Sequence, residues 1–243
     1  MASKARNADT YAARRERLAQ QLHAATGQVT LRKKSSNLFR DRDRAGTPRL
    51  DVHDFNHVLQ VDPHSGWADA EGMTSYETLV LATLACGTMP AVVPQLKTIT
   101  LGGAVAGVGI EATSFRRGLV HQGILEMDIL AGDGKIYLCT PQNEQRDLFF
   151  GFPNSYGTLG YALRVRTRTI PVKKFVRIEH SRCRDPSEYF RGLQGLCDSG
   201  ADFVDGVVFG PGDFFLTAGT FVDDAPFVSD YTFEHIYYRS IRH

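Results

Sequence analysis

Apolar residues at helical spacing predict a helix near the start of the chain, over residues 5–25. Tyr11, Leu18 and Leu22 fall on one side of this helix, whereas arginines occupy its other sides. Gly27 follows the last apolar position, and a glycine commonly stands just past the end of a helix. The narrow apolar stripe is typical of a helix that lies on the surface of a protein.

A second helical pattern begins at residue 74. Thr74 and Glu77 have the spacing of a capping box, in which a hydroxyl and a carboxylate satisfy the first N–H groups of a helix. The apolar positions that follow predict an inner face made of Tyr76, Leu79, Val80, Thr83 and Leu84. Gly87 ends this pattern. A shorter helical piece is predicted over residues 147–150.

Short apolar runs predict strands elsewhere in the chain. In the first third they lie at residues 29–31, 49–52, 58–61 and 67–71. Further along, two runs at residues 124–131 and 135–140 are joined by Gly132, Asp133 and Gly134. An Asp-Gly step between apolar runs is a strong signal for a hairpin, so we expect these two strands to pair.

Residues 161–170 alternate strictly between two kinds of side chain. The positions on one side of the predicted strand are Leu163, Val165 and Thr167, and those on the other are Arg164, Arg166 and Arg168. An arginine face is one feature of nucleic-acid binding, but it is more typical of the solvated face of an antiparallel sheet. We therefore predict that the arginines face water.

The pattern changes after residues 171–174, Pro-Val-Lys-Lys, which we interpret as a seam between domains. Residues 203–221 predict two strands around Gly210-Pro211-Gly212-Asp213. A second sheet therefore begins at residue 203 in this interpretation.

The composition is that of an ordinary globular protein, with 42% hydrophobic and 23% charged residues in 243. This length fits one large or two small domains. The cysteines, Cys86, Cys139, Cys183 and Cys197, form no C-x-x-C pair and have no histidine at zinc spacing. We expect reduced thiols, no metal site and a cytoplasmic protein.

Residues 78–96 carry no charge and are long enough to span a bilayer. However, Gly87, Pro90 and Pro94 would break a spanning helix, so we reject a transmembrane segment. The start of the chain has no apolar region typical of a secretory signal.

The net charge of +1 hides an asymmetry. Residues 1–49 contain twelve basic and four acidic residues, which gives +8 and leaves −7 for the remainder. A basic end can attract nucleic acid, an anionic membrane surface or a phosphate-bearing ligand. It is also typical of a solvated helix face, and both interpretations stay open at this point.

Residues 92–118 combine glycines with small apolar residues, and the glycines are Gly102, Gly103, Gly107, Gly109 and Gly118. Backbone N–H groups beside glycines can approach a ligand closely and form a concavity for a pyrophosphate. The alternative is a tight, buried glycine corner between strands. The spacing matches neither the Rossmann nor the Walker motif.

Four segments of the sequence follow one another in a characteristic order. They read VPQLKTITLGGAVAGVGIE, GLVHQGILEMDILAGDGKIYLCTP, DLFF and NSYGTLGYALRVRTRTIP. Together they resemble the FAD-binding (PCMH-type) domain of the p-cresol methylhydroxylase/vanillyl-alcohol oxidase superfamily, and within it most closely the delta-24 sterol reductase branch with its bacterial relatives. The resemblance covers about residues 28–180, and the order and spacing of the motifs carry it.

This resemblance implies an α+β fold in which two subdomains clasp FAD, followed by a separate cap domain built on an antiparallel sheet. We accordingly predict an N-terminal helix over residues 1–27, the FAD-binding domain over 28–174 and an incomplete substrate or cap domain over 175–243.

The resemblance also implies which positions contact FAD. They are Ser35, Ser36, Asn37, Leu38, Gln95, Leu96, Ile99, Gly102, Gly103, Ala106, Gly107, Ile110, Ser114, Gly160 and Tyr161. The first four belong to a loop that holds the flavin pyrophosphate in the family, although the fuller glycine-rich version of that loop is absent here.

Some relatives bond the flavin covalently through a histidine or cysteine, often at the position just after G-x-G. Here that position is Ile110, so we expect non-covalent FAD. We interpret Glu111 and His121 as structural residues, and no catalytic residue is assigned. No Ser/His/Asp order or pair of carboxylates indicates a hydrolase.

The function that the resemblance implies is an FAD-dependent oxidoreductase that exchanges a hydride between flavin N5 and an organic substrate, as in sterol C=C reduction. The alternatives are an alcohol or sugar oxidase of the same superfamily, a flavin-binding protein without turnover, and a module that binds nucleic acid or anionic membranes through the basic segment. We expect a small-molecule substrate of hydrophobic character, with NADPH or NADH as a candidate electron donor. No specific nucleic-acid partner is expected, while peripheral contact with a membrane stays open.

In the resembled family a full cap domain follows the FAD domain, whereas only 69 residues follow the seam here. We therefore expect a truncated form that holds FAD but turns over substrate poorly. Two strands cannot bury both faces of a sheet. Apolar residues of this region, namely Phe203, Val207, Phe215 and Phe221, are therefore expected to be partly exposed.

Overall fold

The computed structural model describes residues 3–25, 27–32 and 47–229, with side chains of the first helix described from Tyr11 onward. In chain order the elements are α1 (Ser3–Ala24), β1 (Thr30–Arg32), β2 (Arg49–Asp51), β3 (Val58–Asp62), β4 (Trp67–Glu71), α2 (Tyr76–Leu84), β5 (Thr88–Pro90), α3 (Leu101–Gly107), α4 (Ser114–Arg117), a 3₁₀ turn (Val120–Gly123), β6 (Ile124–Leu130), β7 (Ile136–Cys139), α5 (Arg146–Gly151), β8 (Tyr161–Pro171), β9 (Phe175–Cys183), α6 (Pro186–Cys197), β10 (Phe203–Gly210) and β11 (Asp213–Val222). The predicted α+β class is confirmed.

The chain divides into two units. The first consists of Met1–Ile110 and Leu119–Pro171, and the second of Glu111–Gly118 and Val172–His243. Residues 111–118 therefore belong to the second unit, although the predicted boundaries place them in the FAD-binding domain. The domain boundaries given in the sequence analysis stay a prediction.

The first unit is built on a six-stranded antiparallel sheet of order β3-β4-β8-β6-β7, with β5 paired to the end of β8. The predicted hairpin is confirmed, because β6 and β7 pair through Met127–Cys139 to Leu130–Ile136. Gly134 has a φ of 81° at the turn, a left-handed conformation that favours glycine. The long strand β8 lies in the middle of the sheet and pairs with both β4 and β6.

One face of this sheet is covered by α2, α3 and α5. Leu79, Leu101, Val105, Ile129 and Phe152 are fully buried in the resulting core. The N-cap of α2 is Ser75, whose hydroxyl accepts from the N–H of Thr78 at 3.2 Å, rather than the predicted Thr74. Thr74 is buried and donates its hydroxyl to the carbonyl of His57 instead. Leu84, predicted on the inner face, is 47% exposed, since the helix ends there.

A second core lies between the first helix and the sheet. Leu18 of α1 is buried with Leu50, Val52, Leu130 and Leu163. The short strands β1 and β2 pair in parallel beside it. The predicted N-terminal helix is therefore present, and its apolar stripe packs on this core, with Leu18 buried and Tyr11 and Leu22 half-buried.

The arginine face of β8 differs from the prediction, because Arg164 does not face water. Its side chain is only 12% exposed, and the guanidinium contacts Asp69 at 2.8 Å, Asp128 at 2.9 Å and Glu126. Burial by itself lowers the pKa of Arg164, but the hydrogen bond and charge of Asp128 and the charge of Asp69 outweigh it and raise that pKa. The predicted alternation is correct, and Arg168 is exposed as predicted, whereas the prediction that Arg164 faces water is wrong.

Helix α1 joins this charged cluster. The Tyr11 hydroxyl donates to Asp128 at 2.7 Å, and Arg15 lies 3.7 Å from the same carboxylate. Nearby, Arg14 donates to the fully buried carboxylate of Glu71, which also accepts from the backbone N–H of His57 at 2.9 Å. The helix is thus held to the sheet by charge-assisted hydrogen bonds as well as by apolar contacts.

The second unit contains a three-stranded antiparallel sheet of order β10-β11-β9. It therefore begins at Phe175, earlier than the predicted residue 203, and both β9 and α6 were missed. A signal for α6 was present: Asp185 caps the N–H of Glu188 at 2.8 Å, and Pro186 follows it at the first helical position.

Helix α6 covers one face of this sheet. The Tyr189 ring packs against Phe214 at a centroid distance of 5.7 Å, and Leu216 is buried against Gly192. On the strands, the four apolar residues expected to be partly exposed are each intermediate in exposure, so that expectation is confirmed. They are Phe203, Val207, Phe215 and Phe221.

Among the helices in the described part of the chain, not one combines the length and the apolar character needed to cross a membrane. All four cysteines carry free thiols in the structure.

Replacing Tyr11 by phenylalanine should destabilise the fold by about 1.5–3 kcal/mol, because a hydrogen bond to a charged group is lost from a largely buried site. Tyr137→Phe is a matched control, since its hydroxyl also donates to a carboxylate, Asp133, but at an exposed site. We expect it to change the free energy of unfolding by less than about 0.5 kcal/mol. Urea unfolding of both variants measures the difference.

The contact between Tyr11 and Asp128 also makes the free energy of unfolding depend on pH. Burial, together with the charge and hydrogen bond of Asp128, raises the pKa of Tyr11 far above its ordinary 10.0. Above that ordinary value the unfolded chain loses the Tyr11 proton while the folded chain keeps it, so stability falls as pH rises. In the Tyr11→Phe variant the free energy of unfolding should therefore fall less steeply as the pH rises above the ordinary pKa of tyrosine. An identical slope in Tyr11→Phe and wild type would contradict the assignment.

Candidate functional site

The glycine stretch forms a helix rather than an extended loop. Thr100 precedes α3 and caps it, because its hydroxyl accepts from the N–H of Gly103 at 3.3 Å. Thr100 also forms an isolated bridge with Ser75 at the start of α2. The cap and the bridge fix where α3 begins against the rest of the first unit.

The first N–H groups of α3 are already used inside the protein. Leu101 donates to the carbonyl of Thr74 at 2.9 Å, and Gly102 donates to that of Gly72 at 2.8 Å. Ala104 donates to the carbonyl of Thr100 at 2.9 Å. The predicted concavity of free N–H groups is therefore wrong at these positions, and a ligand on α3 must be held by other atoms.

Gly102 is a packing glycine. It is buried, and a Cβ placed on it would lie 3.0 Å from the Gly72 oxygen and 3.2 Å from the Ala162 oxygen. Both neighbours are backbone atoms of the sheet, which cannot move aside easily. The alternative interpretation of the glycine stretch, a buried glycine corner, is correct for this residue.

The opposite side of α3 has a different character. Gly103, Ala106 and Gly107 follow the i, i+3, i+4 spacing of one helix face, and Gly103 is exposed while the other two are half-buried. No side chain on this face is larger than a methyl group, so a ligand can lie directly on the helix backbone. We call this surface, Gly103 with Ala106 and Gly107, the bare face of α3.

Exposed apolar residues stand in the chain on either side of α3. Leu96 is 52% exposed and Ile110 is 76% exposed. Gln95 is also exposed, whereas Ile99 is half-buried and its carbonyl accepts from the N–H of Tyr76 at 2.9 Å. Among these predicted contact positions, the structure therefore leaves Gln95, Leu96 and Ile110 open to a ligand.

Gly160 and Tyr161 lie where β8 begins. Gly160 has a φ of 136°, and a Cβ there would overlap the carbonyl of Leu130, so this position requires glycine. The Tyr161 hydroxyl donates to the carbonyl of Val29 at 3.4 Å. The next residue, Ala162, is the neighbour of Gly102, so the structure brings the start of β8 and the start of α3 together.

The remaining predicted contacts do not belong to the described part of the first unit. Ser114 belongs to the second unit, where its hydroxyl accepts from the N–H of Glu111 at 2.9 Å. Ser35, Ser36, Asn37 and Leu38 lie outside the described residues.

Sequence reasoning missed the loop that closes on the end of α3. Tyr156 has a φ of 50°, its N–H donates to the carbonyl of Ala106 at 3.0 Å, and its ring lies beside Gly107. Asn154 in the same loop also has a positive φ, 62°. Asn154, Ser155 and Gly157 are residue types common in turns, and their grouping could have indicated this loop.

The bare face of α3 fits FAD, the cofactor that the sequence motifs imply. A dinucleotide can approach a helix backbone where no side chain projects, and Gly103, Ala106 and Gly107 leave such a surface, which the Tyr156 ring borders at Gly107. Exposed apolar residues flank α3 in the chain. In the described ranges, 3–25, 27–32 and 47–229, no three His, Cys, Asp or Glu side chains are placed to hold a metal ion.

Comparison with known proteins gives one family match. A family model described as "FAD binding domain" matches residues 12–140, which is more than half of the chain. The FAD-binding domain implies FAD as the cofactor.

Individual relatives carry names of oxidoreductases. The chain is 29% identical over 191 residues to a "Delta(24)-sterol reductase" of Arabidopsis thaliana, which covers 74% of this chain and 34% of that protein. It is 29% identical over 175 residues to a "Delta(24)-sterol reductase" of Rattus norvegicus, covering 69% and 32%. A "Cytokinin dehydrogenase 7" of Oryza sativa subsp. japonica is 29% identical over 147 residues, covering 58% and 28%. The match thus spans about a third of the length of these relatives.

The two sides of α3 should respond differently to the same substitution. Gly102→Ala should cost about 1–3 kcal/mol of stability, because the new methyl group overpacks against backbone atoms. Gly107→Ala should be neutral or stabilise by up to about 1 kcal/mol, since its Cβ meets only the Tyr156 ring at 3.8 Å and alanine favours a helix. Urea midpoints measure both, and equal destabilisation would contradict the two-sided description of α3.

Proposed function

Because the chain belongs to the family of FAD-binding domains, we propose that it is the flavin-binding part of an oxidoreductase that exchanges a hydride with an organic substrate. The observation that carries this proposal is the bare face of α3, which lies within the residues that the family model matches. The names of the relatives, sterol reductase and cytokinin dehydrogenase, support a redox reaction.

The proposed cofactor contacts divide by role. The bare face leaves room for FAD, while buried Gly102 holds α3 against the sheet and so positions that face. Exposed Leu96 and Ile110 provide apolar surface for a ring. The remaining proposed contacts are Gln95, Ile99, Ser114, Gly160 and Tyr161, together with Ser35, Ser36, Asn37 and Leu38.

We propose that FAD is held non-covalently. The side chain of Ile110 is exposed and aliphatic, and it has no atom that could bond the flavin. Binding would then rest on apolar contact, on polar backbone groups and on the shape of the site.

Bound FAD would supply the hydride acceptor or donor at flavin N5. The chain's own part is to bind and orient the cofactor through the bare face and to exclude water with the apolar residues around it. By analogy with the sterol reductases we propose reduction of a carbon–carbon double bond in a hydrophobic substrate, with NADPH or NADH as the electron donor. The basic residues near the start of the chain support a peripheral contact with an anionic surface.

The mode of FAD binding can be tested directly. The purified chain should be yellow, and acid precipitation should release all flavin into the supernatant. Flavin retained on the denatured protein would contradict non-covalent binding.

The position of the cofactor needs a variant of its own. Gly107→Met should raise the Kd for FAD at least about tenfold, because its side chain would project from the bare face. Leu81→Met is the matched control, since it places the same side chain on an exposed face of α2. FAD titration by flavin fluorescence, with circular dichroism to verify folding, measures both. Equal Kd values for the two variants would remove α3 from the cofactor site.

The redox function has a separate test. Under anaerobic conditions the FAD-loaded chain should lose its flavin absorbance on addition of NADPH or NADH, and a sterol with a Δ24 double bond should restore it. A chain that binds FAD but shows neither change would leave flavin binding as its function and contradict the oxidoreductase proposal.

A further inference from the structure

The first unit contains a cavity of about 740 Å³ beside the C-terminal end of α3. Most of its wall is apolar, made by Val105, Val108, Ile124, Met127, Phe149 and Phe150. This volume falls in the range of pockets that bind small organic molecules. The wall is built from α3, β6, α5 and the loops beside them, so the elements of the core define its shape.

The cavity lies on the other side of α3 from the bare face. Residues two apart on a helix are about 200° apart around its axis, so Val105 points away from Gly103 and Gly107. Val105 is fully buried, whereas Gly103 is exposed, in agreement with this geometry. The cavity is therefore separate from the proposed contact between FAD and the bare face of α3.

His121 gives the wall a polar group of defined character. Its Nδ1 atom is sealed from solvent and has no hydrogen-bond partner among the described residues. Burial lowers the pKa of the ring, so the imidazole is neutral at pH 7. Nε2 is then the ring nitrogen that can reach a molecule in the cavity, as either donor or acceptor according to the tautomer.

Backbone strain is concentrated around the same space. Val108 and Asn154 both line the cavity, and both have positive φ, 58° and 62°. A β-branched residue in this region is strained, and such residues occur where a binding surface is fixed in place. Of the three non-glycine residues with positive φ in the described chain, the third is Tyr156, in the same loop as Asn154.

We propose that this cavity binds a small, uncharged apolar molecule that carries one hydroxyl group. Its hydrocarbon body would fill the space between Val105, Met127 and the ring of Phe149. Its hydroxyl would exchange one hydrogen bond with Nε2 of His121. The one charged residue in the wall is Arg168 of β8, whose exposed side chain can keep its charge in water while an uncharged molecule fills the apolar part of the cavity.

The test uses the FAD-loaded 243-residue chain at pH 7 with 2-naphthol, naphthalene and 2-naphthoate as probes, followed by the fluorescence anisotropy of each probe. We expect 2-naphthol to bind most tightly. His121→Leu should raise the Kd of 2-naphthol about three- to tenfold, the value of one hydrogen bond, and leave that of naphthalene unchanged within about twofold. His121→Gln, which keeps a donor and an acceptor, should retain most of the affinity for 2-naphthol.

A second pair of variants tests whether the probes bind in this cavity. Leu125→Trp places a large side chain in the cavity wall and should abolish binding of both 2-naphthol and naphthalene. Leu138→Trp, at an exposed position of β7 outside the wall, should change neither. Unfolding midpoints of all four variants verify that each is folded.

The proposal is overturned if His121→Leu weakens both probes equally or neither, or if Leu125→Trp binds like wild type. Binding of 2-naphthoate as tight as that of 2-naphthol would indicate an anion site that uses Arg168 and would overturn the uncharged class. If 2-naphthol binds to the chain without FAD and not to the FAD-loaded chain, the cavity belongs to the cofactor site and the proposal is also overturned. Failure of these tests leaves the Gly107→Met result, and with it the proposed flavin function, untouched.

Discussion

The first unit depends on the pairing of Arg164 with three carboxylates from two neighbouring strands. Asp69 comes from β4 and Glu126 and Asp128 from β6, and all lie within the layer between the sheet and α1. Charges removed from water are costly, and this cost is offset only when every group has a partner. In this cluster Arg166 contacts Asp69 at 2.9 Å, while Arg15 and Tyr11 contact Asp128 at 3.7 Å and 2.7 Å. Each charged side chain therefore has at least one partner, although the Nε atom of Arg166 is buried without one. The position of α1 and the register of the central strands are thereby fixed together.

Much of the fold follows from local sequence signals, and the two main errors of prediction have different causes. The alternation along β8 and the Asp133-Gly134 step predicted a strand and a hairpin because both are local properties. The prediction that Arg164 faces water was wrong because the carboxylates that neutralise it lie 36 to 95 residues away in sequence. Strand β9 was missed since most of its residues are exposed, so it has no apolar alternation to detect.

The candidate site shows the same division between local and distant information. The motifs identified the FAD-binding family and placed α3 within it, which is a property of the order of residues along the chain. Two glycines that look alike in sequence have opposite roles, because Gly102 contacts the backbone of Gly72 while Gly103 faces outward. The cavity at His121 was not predicted, since its wall joins Val105, Met127 and Phe149 from three separate elements.

The anchoring of α1 has a consequence for the order of events during protein synthesis. Tyr11 and its partner Asp128 are 117 residues apart, so the helix leaves the ribosome long before the strand that it will cover. At about 5–20 residues per second, the delay is on the order of ten seconds. Throughout that interval Leu18 and the arginines of α1 have only the earliest strands to contact, and Glu71 is the first of the two buried carboxylates bound by α1 to arrive. The final docking of α1 therefore waits until β6, which carries Asp128, and β8, which carries Leu163, have both been made.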